Sequence, residues 1–301
     1  MSTPQAPYTT FLIMSDTHNF EVADNDKCPL SACRSLTNID VLLHCGDLTQ
    51  VGGISAYKKA LRLLGELDAE LKLVIGGDHD LSLDGEYWKS DLDEEAGDEP
   101  EEHERAIDIM TGPLAKAANV TYLSEGLHTF RLKSGVAFTI YASPYQPRFG
   151  DWAFGYDRSE DKFTDIPDNV DIVMTHGPPR GVLDRVKSRE RPGEDEHLGC
   201  DALLRAIDRT KPLLHCFGHI HDGYGAQSKQ WEDQKANATA SKGGDRGHII
   251  RVMQAGLGSA HEASQDSLTT NSTLMVNAAI MNGQNAPEND PWLVTIGLPR
   301  R

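Results

Sequence analysis

No apolar run in this chain of 301 residues approaches the ~20 needed for a helix to cross a bilayer. Cysteine is scarce: five residues, at positions 28, 33, 45, 200 and 216, are too few and too scattered for a disulfide framework, and one must stay unpaired. Positive charge is short as well, with 29 Lys and Arg against 46 Asp and Glu, a net of −17. Such a balance argues against duplex nucleic acid or an anionic membrane as partner. It leaves an anionic substrate open, because a bound metal reverses the local sign of a site. The first residues, Met1 to Pro7, lack the basic and apolar stretches of a signal peptide. Neither an internal repeat nor a break in composition calls for a second domain. A soluble, cytoplasmic protein forming a single domain over residues 1–301 is expected.

Buried strands are expected at 9–15, 39–45, 71–75, 170–175 and 213–217, each an apolar run closed by polar residues. Helical spacing of Ile54, Tyr57, Leu61 and Leu64 predicts a helix over 53–67, and further helices are expected at 103–118 and 200–209. Short strands at 120–123, 127–132 and 136–141 precede the later ones at 249–253, 274–277 and 292–296. The rhythm indicates βαβ units and a largely parallel sheet. Nine carboxylates between Asp91 and Glu104 read as a solvated acidic loop. The polar stretch 227–247 reads as a flexible insertion.

Five strands end in residues able to bind metal: Asp16 with His18, Asp47, Asp78 with His79, His176, and His219 with His221. The carboxyl ends of strands are where open α/β sheets bind ligands. Mixed imidazole and carboxylate donors suit Mn, Fe or Zn. A carboxylate shared between two such ions sets the ~3.5–4 Å spacing used for phosphoryl displacement, with a water acidified between them as nucleophile.

The ordered set Asp16-x-His18, Gly46-Asp47, Gly77-Asp78-His79-Asp80, His176-Gly177 and Gly218-His219-x-His221 resembles the five blocks of the calcineurin-like metallophosphoesterases. Within that superfamily, Ser143-Pro144-Tyr145-Gln146-Pro147, Asp151-Trp152-Ala153-Phe154, His176-Gly177-Pro178-Pro179 and the run Gly218 to Gly225 are similar to the metallophosphoesterase-domain-containing phosphodiesterases. The resemblance implies an α/β fold, a four-layer αββα sandwich with mixed sheets. It also implies two divalent metal ions, with Mn2+ favoured and Fe or Zn as alternatives. The implied substrate is a small phosphodiester or nucleotide, 2′,3′-cyclic nucleotides among them. Carried over block by block, Asp16, His18, Asp47 and His221 would hold one metal, and Asp47, Asp78, His176 and His219 the other. His79 would face the leaving-group or a phosphoryl oxygen, with Asp80 orienting its imidazole. Where the family has Asn in its third block, this chain has Asp78.

Other residues near the motifs admit two readings. His44 and His215 read as packing or as supports behind the ligands, Cys45 and Cys216 as small buried hydrophobes. Trp152, Phe154 and Tyr156 read either as a base-stacking group or as an aromatic cluster, and Arg148 and Arg180 either as phosphate contacts or as solvated arginines. The function expected is a dinuclear phosphodiesterase. The alternatives are a phosphomonoesterase or protein phosphatase, and a nucleotide- or metal-binding regulator with vestigial catalysis.

Overall fold

A computed structural model of the chain describes residues 8–20, 29–91, 99–188, 191, 193–231, 247–255 and 271–300. Two six-stranded sheets dominate it. Across the first run His248–Gln254, Trp292–Gly297, Tyr8–Met14, Val41–His44, Leu71–Val74 and Val120–Tyr122. The last four are parallel; the first two add antiparallel neighbours at one edge. Across the second run Gly225–Gln230, Ser272–Asn277, Leu214–Phe217, Ile172–Thr175, Ala137–Ser143 and Gly126–Arg131. Its inner four are parallel and its two edge strands antiparallel.

Successive side chains of a strand point to opposite faces, and here both faces are covered. Phe11 and Ile13 enter a core between the two sheets, against Phe138, Ile140, Met174 and Leu274. Leu12 and Met14 point the other way, into a core with Tyr57, Leu61 and Leu64 of the helix Ile54–Gly65. Behind the second sheet, Val173 and Phe217 pack on Leu203 and Ile207 of the helix Asp201–Thr210. The order helix, sheet, sheet, helix is the expected four-layer αββα sandwich with mixed sheets, and double coverage is why the central strands read as unbroken apolar runs.

Three expectations change in detail. The helix anticipated over 103–118 is two, Glu102–Thr111 and Pro113–Ala117. Pro113 has no N–H to continue the first but suits the opening turn of the second. The acidic stretch is helical at both ends, in Gly85–Asp91 and from Glu102 onward, while 92–98 lie outside the described residues. The polar insertion begins as a strand: Gly225–Gln230 pairs antiparallel with Ser272–Asn277. An edge strand is held by main-chain bonds on one side, so polar side chains do not disqualify it. Residues 232–246 lie outside the described residues. Among the described residues no helix is long and apolar enough to cross a membrane.

His44 and His215 are fully buried on the helix-covered faces, each with Nε2 against a threonine hydroxyl (Thr17 at 3.1 Å, Thr175 at 2.9 Å). Their Nδ1 atoms have no partner among the described residues. Burial pushes both imidazoles down to about 3. The unfolded chain takes up a proton near pH 6.5 that the folded chain refuses, so stability is whole above that pH and falls toward pH 3. His215→Gln is expected to flatten the slope of unfolding free energy between pH 6 and 4 by up to about 1.4 kcal/mol per pH unit. Denaturant titrations across that range read it, and an unchanged slope would show that His215 is protonated within the fold.

Candidate metal centre

The parallel strands of both sheets end along one edge, and their loops are stitched together there. Asp16 N–H donates to Gly46 O (3.0 Å), His18 N–H to Asp47 O (3.0 Å) and Gly218 N–H to His176 O (2.9 Å). Asp16, His18, Asp47 and His219 all adopt left-handed backbone, with φ of 56°, 43°, 54° and 64°, a conformation uncommon for residues with a Cβ although Asp and His take it more readily than most. Gly218 is required by close approach: a Cβ there would strike the Asp16 carboxylate and the Ser15 hydroxyl.

All seven predicted ligands converge. Asp16, His18 and His221 form one group and Asp78, His176 and His219 another, the donor atoms of each lying within 4.8 Å of one another. Asp47 stands between them. Its Oδ2 lies 3.5 Å from His18 Nε2, and its Oδ1 lies 3.4 Å from His176 Nε2. His221 Nε2 is 3.3 Å from Asp16 Oδ1, and Asp78 Oδ1 is 2.7 Å from His176 Nε2 and 2.8 Å from His219 Nδ1.

The far nitrogens of three imidazoles donate to oxygens: His18 Nδ1 to Thr49 O (3.1 Å), His176 Nδ1 to Cys45 O (2.8 Å) and His221 Nδ1 to Asn285 Oδ1 (3.0 Å). With Nδ1 carrying that proton, Nε2 offers its lone pair inward. This outer support is the arrangement that metal-binding histidines use. A bare lone pair 2.7 Å from a carboxylate oxygen needs a cation between them, a proton or a metal. The donor set therefore fits two divalent ions, one in each group, with Asp47 shared.

The titration behaviour agrees. Burial pushes the Asp47 carboxyl well above the usual range, helped by Asp78, Asp16 and Asp80 and opposed by His176. Burial acts the same way on Asp16 and Asp78, but the histidines beside them prevail and hold both low. His176 is buried, yet Asp47 and Asp78 raise it well above its ordinary value. Burial lowers His18 to about 4, with His79 and His221 adding to the effect against Asp16.

His79 lies half-buried beside the metal groups, close enough to join His18 and Asp47 as a third donor. Its backbone N–H donates to Asp47 Oδ1 (2.9 Å) and its Nδ1 to Gln50 O (2.7 Å), and its ring stacks on Trp152 with centroids 4.0 Å apart. Asp80 does not orient it, which corrects the expectation from sequence. The Asp80 carboxylate turns away and accepts from the N–H groups of Leu48 (3.1 Å), Thr49 (3.0 Å) and Gly77 (3.0 Å) and from the Thr49 hydroxyl (2.8 Å). It ties the second ligand loop to the third, and the Gln50 carbonyl orients His79 instead.

The metal groups open into a cleft of about 370 Å³. Of the aromatic residues considered, Trp152 lines it, while Phe154 and Tyr156 are buried in the cores on the outer faces of the sheets. Arg148 lines it too; Arg180 faces Asp201 elsewhere. Sequence reasoning missed Phe149, which is 64% exposed at the rim, and also Arg158 and Asn285. Phe149 and Arg158 flank recognised motifs but carry no spacing that marks them. Asn285 arrives from far along the chain, in a stretch rich in Asn that signals only turns.

Comparison with known proteins agrees with this geometry. A family model described as calcineurin-like phosphoesterase matches residues 9–223. Metallophosphoesterase domain-containing protein 1 of Homo sapiens is 36% identical over 237 residues, which cover 75% of this chain and 64% of the human one. The Mus musculus protein of the same name matches equally. A UPF0046 protein of Caenorhabditis elegans, T07D4.2, is 34% identical over 240 residues, 75% of this chain and 54% of its own length. The match thus spans less than two thirds of these relatives.

The two neighbours in the third block should behave differently when truncated. Asp80→Ala strands three buried N–H groups and is expected to cost on the order of 3 kcal/mol or more. His79→Ala, which loses one half-exposed hydrogen bond and two ring contacts, to Trp152 and His18, is expected to stay within about 1 kcal/mol of the parent. Urea unfolding of both variants checks this, and equal stabilities would refute the structural role of Asp80.

Proposed function

Because the chain belongs to the calcineurin-like phosphoesterase family, we propose that it is a dinuclear metal-dependent phosphodiesterase. We read its substrates as small phosphodiesters, with 2′,3′-cyclic nucleotides favoured, and Mn2+ as the favoured metal, Fe and Zn being the alternatives. The observation that carries this reading is Asp47, a buried carboxylate with one oxygen toward each group of ligands. When bound, two divalent ions set positive charge against the phosphoryl oxygens and acidify a water for attack. The residues of the chain do the rest. Asp47 shares its charge between the two ligand groups, while the carbonyls of Thr49 and Cys45 keep His18 and His176 turned inward.

His79 acts at the mouth of the site. Its Nδ1–H is held by the Gln50 carbonyl and its face by Trp152, leaving the Nε2 edge for the departing oxygen; as the imidazolium, with a second proton on Nε2, the ring gives that proton to the leaving oxygen and returns to the neutral form. Arg148 and Arg158 supply positive charge to the walls of the cleft, and exposed Phe149 offers a face on which a base stacks. A wall of this chemistry supports a nucleotide over a protein substrate. The reading of the whole chain as one domain is supported by its later strands: Gly225–Gln230 and Ser272–Asn277 extend the second sheet, and His248–Gln254 and Trp292–Gly297 the first.

Chelator is expected to abolish activity and Mn2+ to restore it, with Asp47→Asn the most damaging ligand substitution because it weakens both groups. The reading expects bis-p-nitrophenyl phosphate and 2′,3′-cyclic AMP to be cleaved faster than p-nitrophenyl phosphate or a phosphopeptide. Faster cleavage of the monoesters would make the protein a phosphomonoesterase, and full turnover by verified metal-free protein would end the dinuclear reading.

Removing the ring of His79 is expected to slow cleavage of alkyl-leaving substrates by about 10²–10⁴-fold. The loss should shrink when the leaving group is a nitrophenolate, which departs without a proton. Equal slowing across leaving groups would take the proton-donor role from His79.

A further inference from the structure

The family-matched span stops at residue 223, yet a segment some sixty residues further on reaches the ligands. After the strand Ser272–Asn277, the chain crosses the edge where the two sheets meet. Ala278 N–H donates to Phe217 O (2.8 Å) in the second sheet, and Ile280 N–H to Ser15 O (3.0 Å) in the first. The following loop is closed by its own asparagines. The Asn282 side chain accepts from Gln284 N–H (2.9 Å) and Ala286 N–H (3.0 Å), and the Asn289 amide donates to Ala279 O and Met281 O, both at 3.0 Å. Gly283 lies so close to Asp222 that a Cβ would collide with its carboxylate.

At the tip, Asn285 adopts left-handed backbone (φ 59°) and lines the cleft. Its Oδ1 lies 3.0 Å from His221 Nδ1, whose ring presents Nε2 to Asp16 Oδ1 at 3.3 Å. A neutral imidazole has one lone pair, and only a proton fixed on Nδ1 leaves that lone pair on Nε2, among Asp16 and His18. The Asn285 carbonyl oxygen is the group that fixes it. The same supporting bond is made for His18 and His176 by main-chain carbonyls; at His221 alone of these three a side chain makes it.

We propose that Asn285 is a positioning residue of the metal centre: the loop 281–289 holds its side-chain oxygen against His221 and thereby builds the Asp16, His18, His221 group. The inference rests on the dinuclear reading and adds to it a determinant outside the family's motifs. Glycine accepts the left-handed backbone, so Asn285→Gly removes the side chain without straining the loop, and Asn285→Asp keeps an acceptor oxygen in place.

The test is calorimetric titration of Mn2+ into the chelator-stripped full chain. Asn285→Gly is expected to weaken one of the two metals by about 10–100-fold and leave the other unchanged, while Asn285→Asp stays within about 3-fold of the parent. In a His221→Ala background, Asn285→Gly should produce no further loss, since the residue acts through that ring. Equal affinity in parent and Asn285→Gly overturns the inference alone, as does a loss that persists without His221 or one that aspartate fails to restore. A parent that takes up no Mn2+ overturns the dinuclear reading and the inference with it.

Discussion

The imidazole of His176 is the joint on which the site depends. It belongs to the second sheet, is fully buried, and makes contacts to the first sheet from both ring nitrogens. Nδ1 donates to the Cys45 carbonyl at 2.8 Å, while Nε2 faces Asp78 at 2.7 Å and Asp47 at 3.4 Å. Two sheets packed face to face put the carboxyl ends of their parallel strands side by side, but packing alone fixes no atom to better than a side chain's freedom. The ring of His176 supplies that fixity. It locks the second ligand loop of one sheet to the strand end of the other, at the place where Asp47 must be held between two groups of donors.

Holding so many polar groups at one edge strains the backbone. Four ligands sit in left-handed conformation, each costing on the order of 1 kcal/mol or more for a residue with a Cβ. The three stacked apolar cores offset this, since the central strands of both sheets contribute to two of them each. Asp80 shows how the strain is distributed. Its carboxylate gathers three backbone N–H groups that turn inward because the loops around Asp47 and Asp78 are tight. Asp80 thus serves the loops around it, while the ring of its neighbour His79 is left facing the cleft.

That division explains what was legible in the sequence and what was not. The convergence of the seven candidate ligands could be read because strand periodicity places a strand's end and its first polar residues, and five such ends in order leave little freedom. The layers followed from unbroken apolar runs. Asp80 was misread because adjacency along the chain says nothing of direction: its carboxylate is taken up by Leu48, Thr49 and Gly77, not by the imidazole beside it. Between the two readings of Phe154 the structure takes the packed one, and Phe149, for which the sequence offered no reading, stands at the rim. The partner of His221 was beyond reach, since only the crossing of 277–280 between sheets brings Asn285 to it.

Asp78 closes the electrostatic argument. Where the family pattern carries an amide, this chain sets a third carboxylate in the floor of the site, shared by His176 and His219. An added negative charge there favours cations in the second group and disfavours an anionic ester in the cleft above. At ~5 Å and an effective dielectric near 20, the second effect is worth about 3 kcal/mol before screening. The protein as a whole, at −17, deepens the second effect. Arg148 and Arg158 oppose it from the walls. Each is anchored through backbone carbonyls, Arg148 by Gly155 and Arg158 by Leu198 and Gly199, so neither spends its charge on a carboxylate in those contacts. Positive charge at the rim thus offsets negative charge at the floor, and the two arginines temper the field that an acidic protein sets over this cleft.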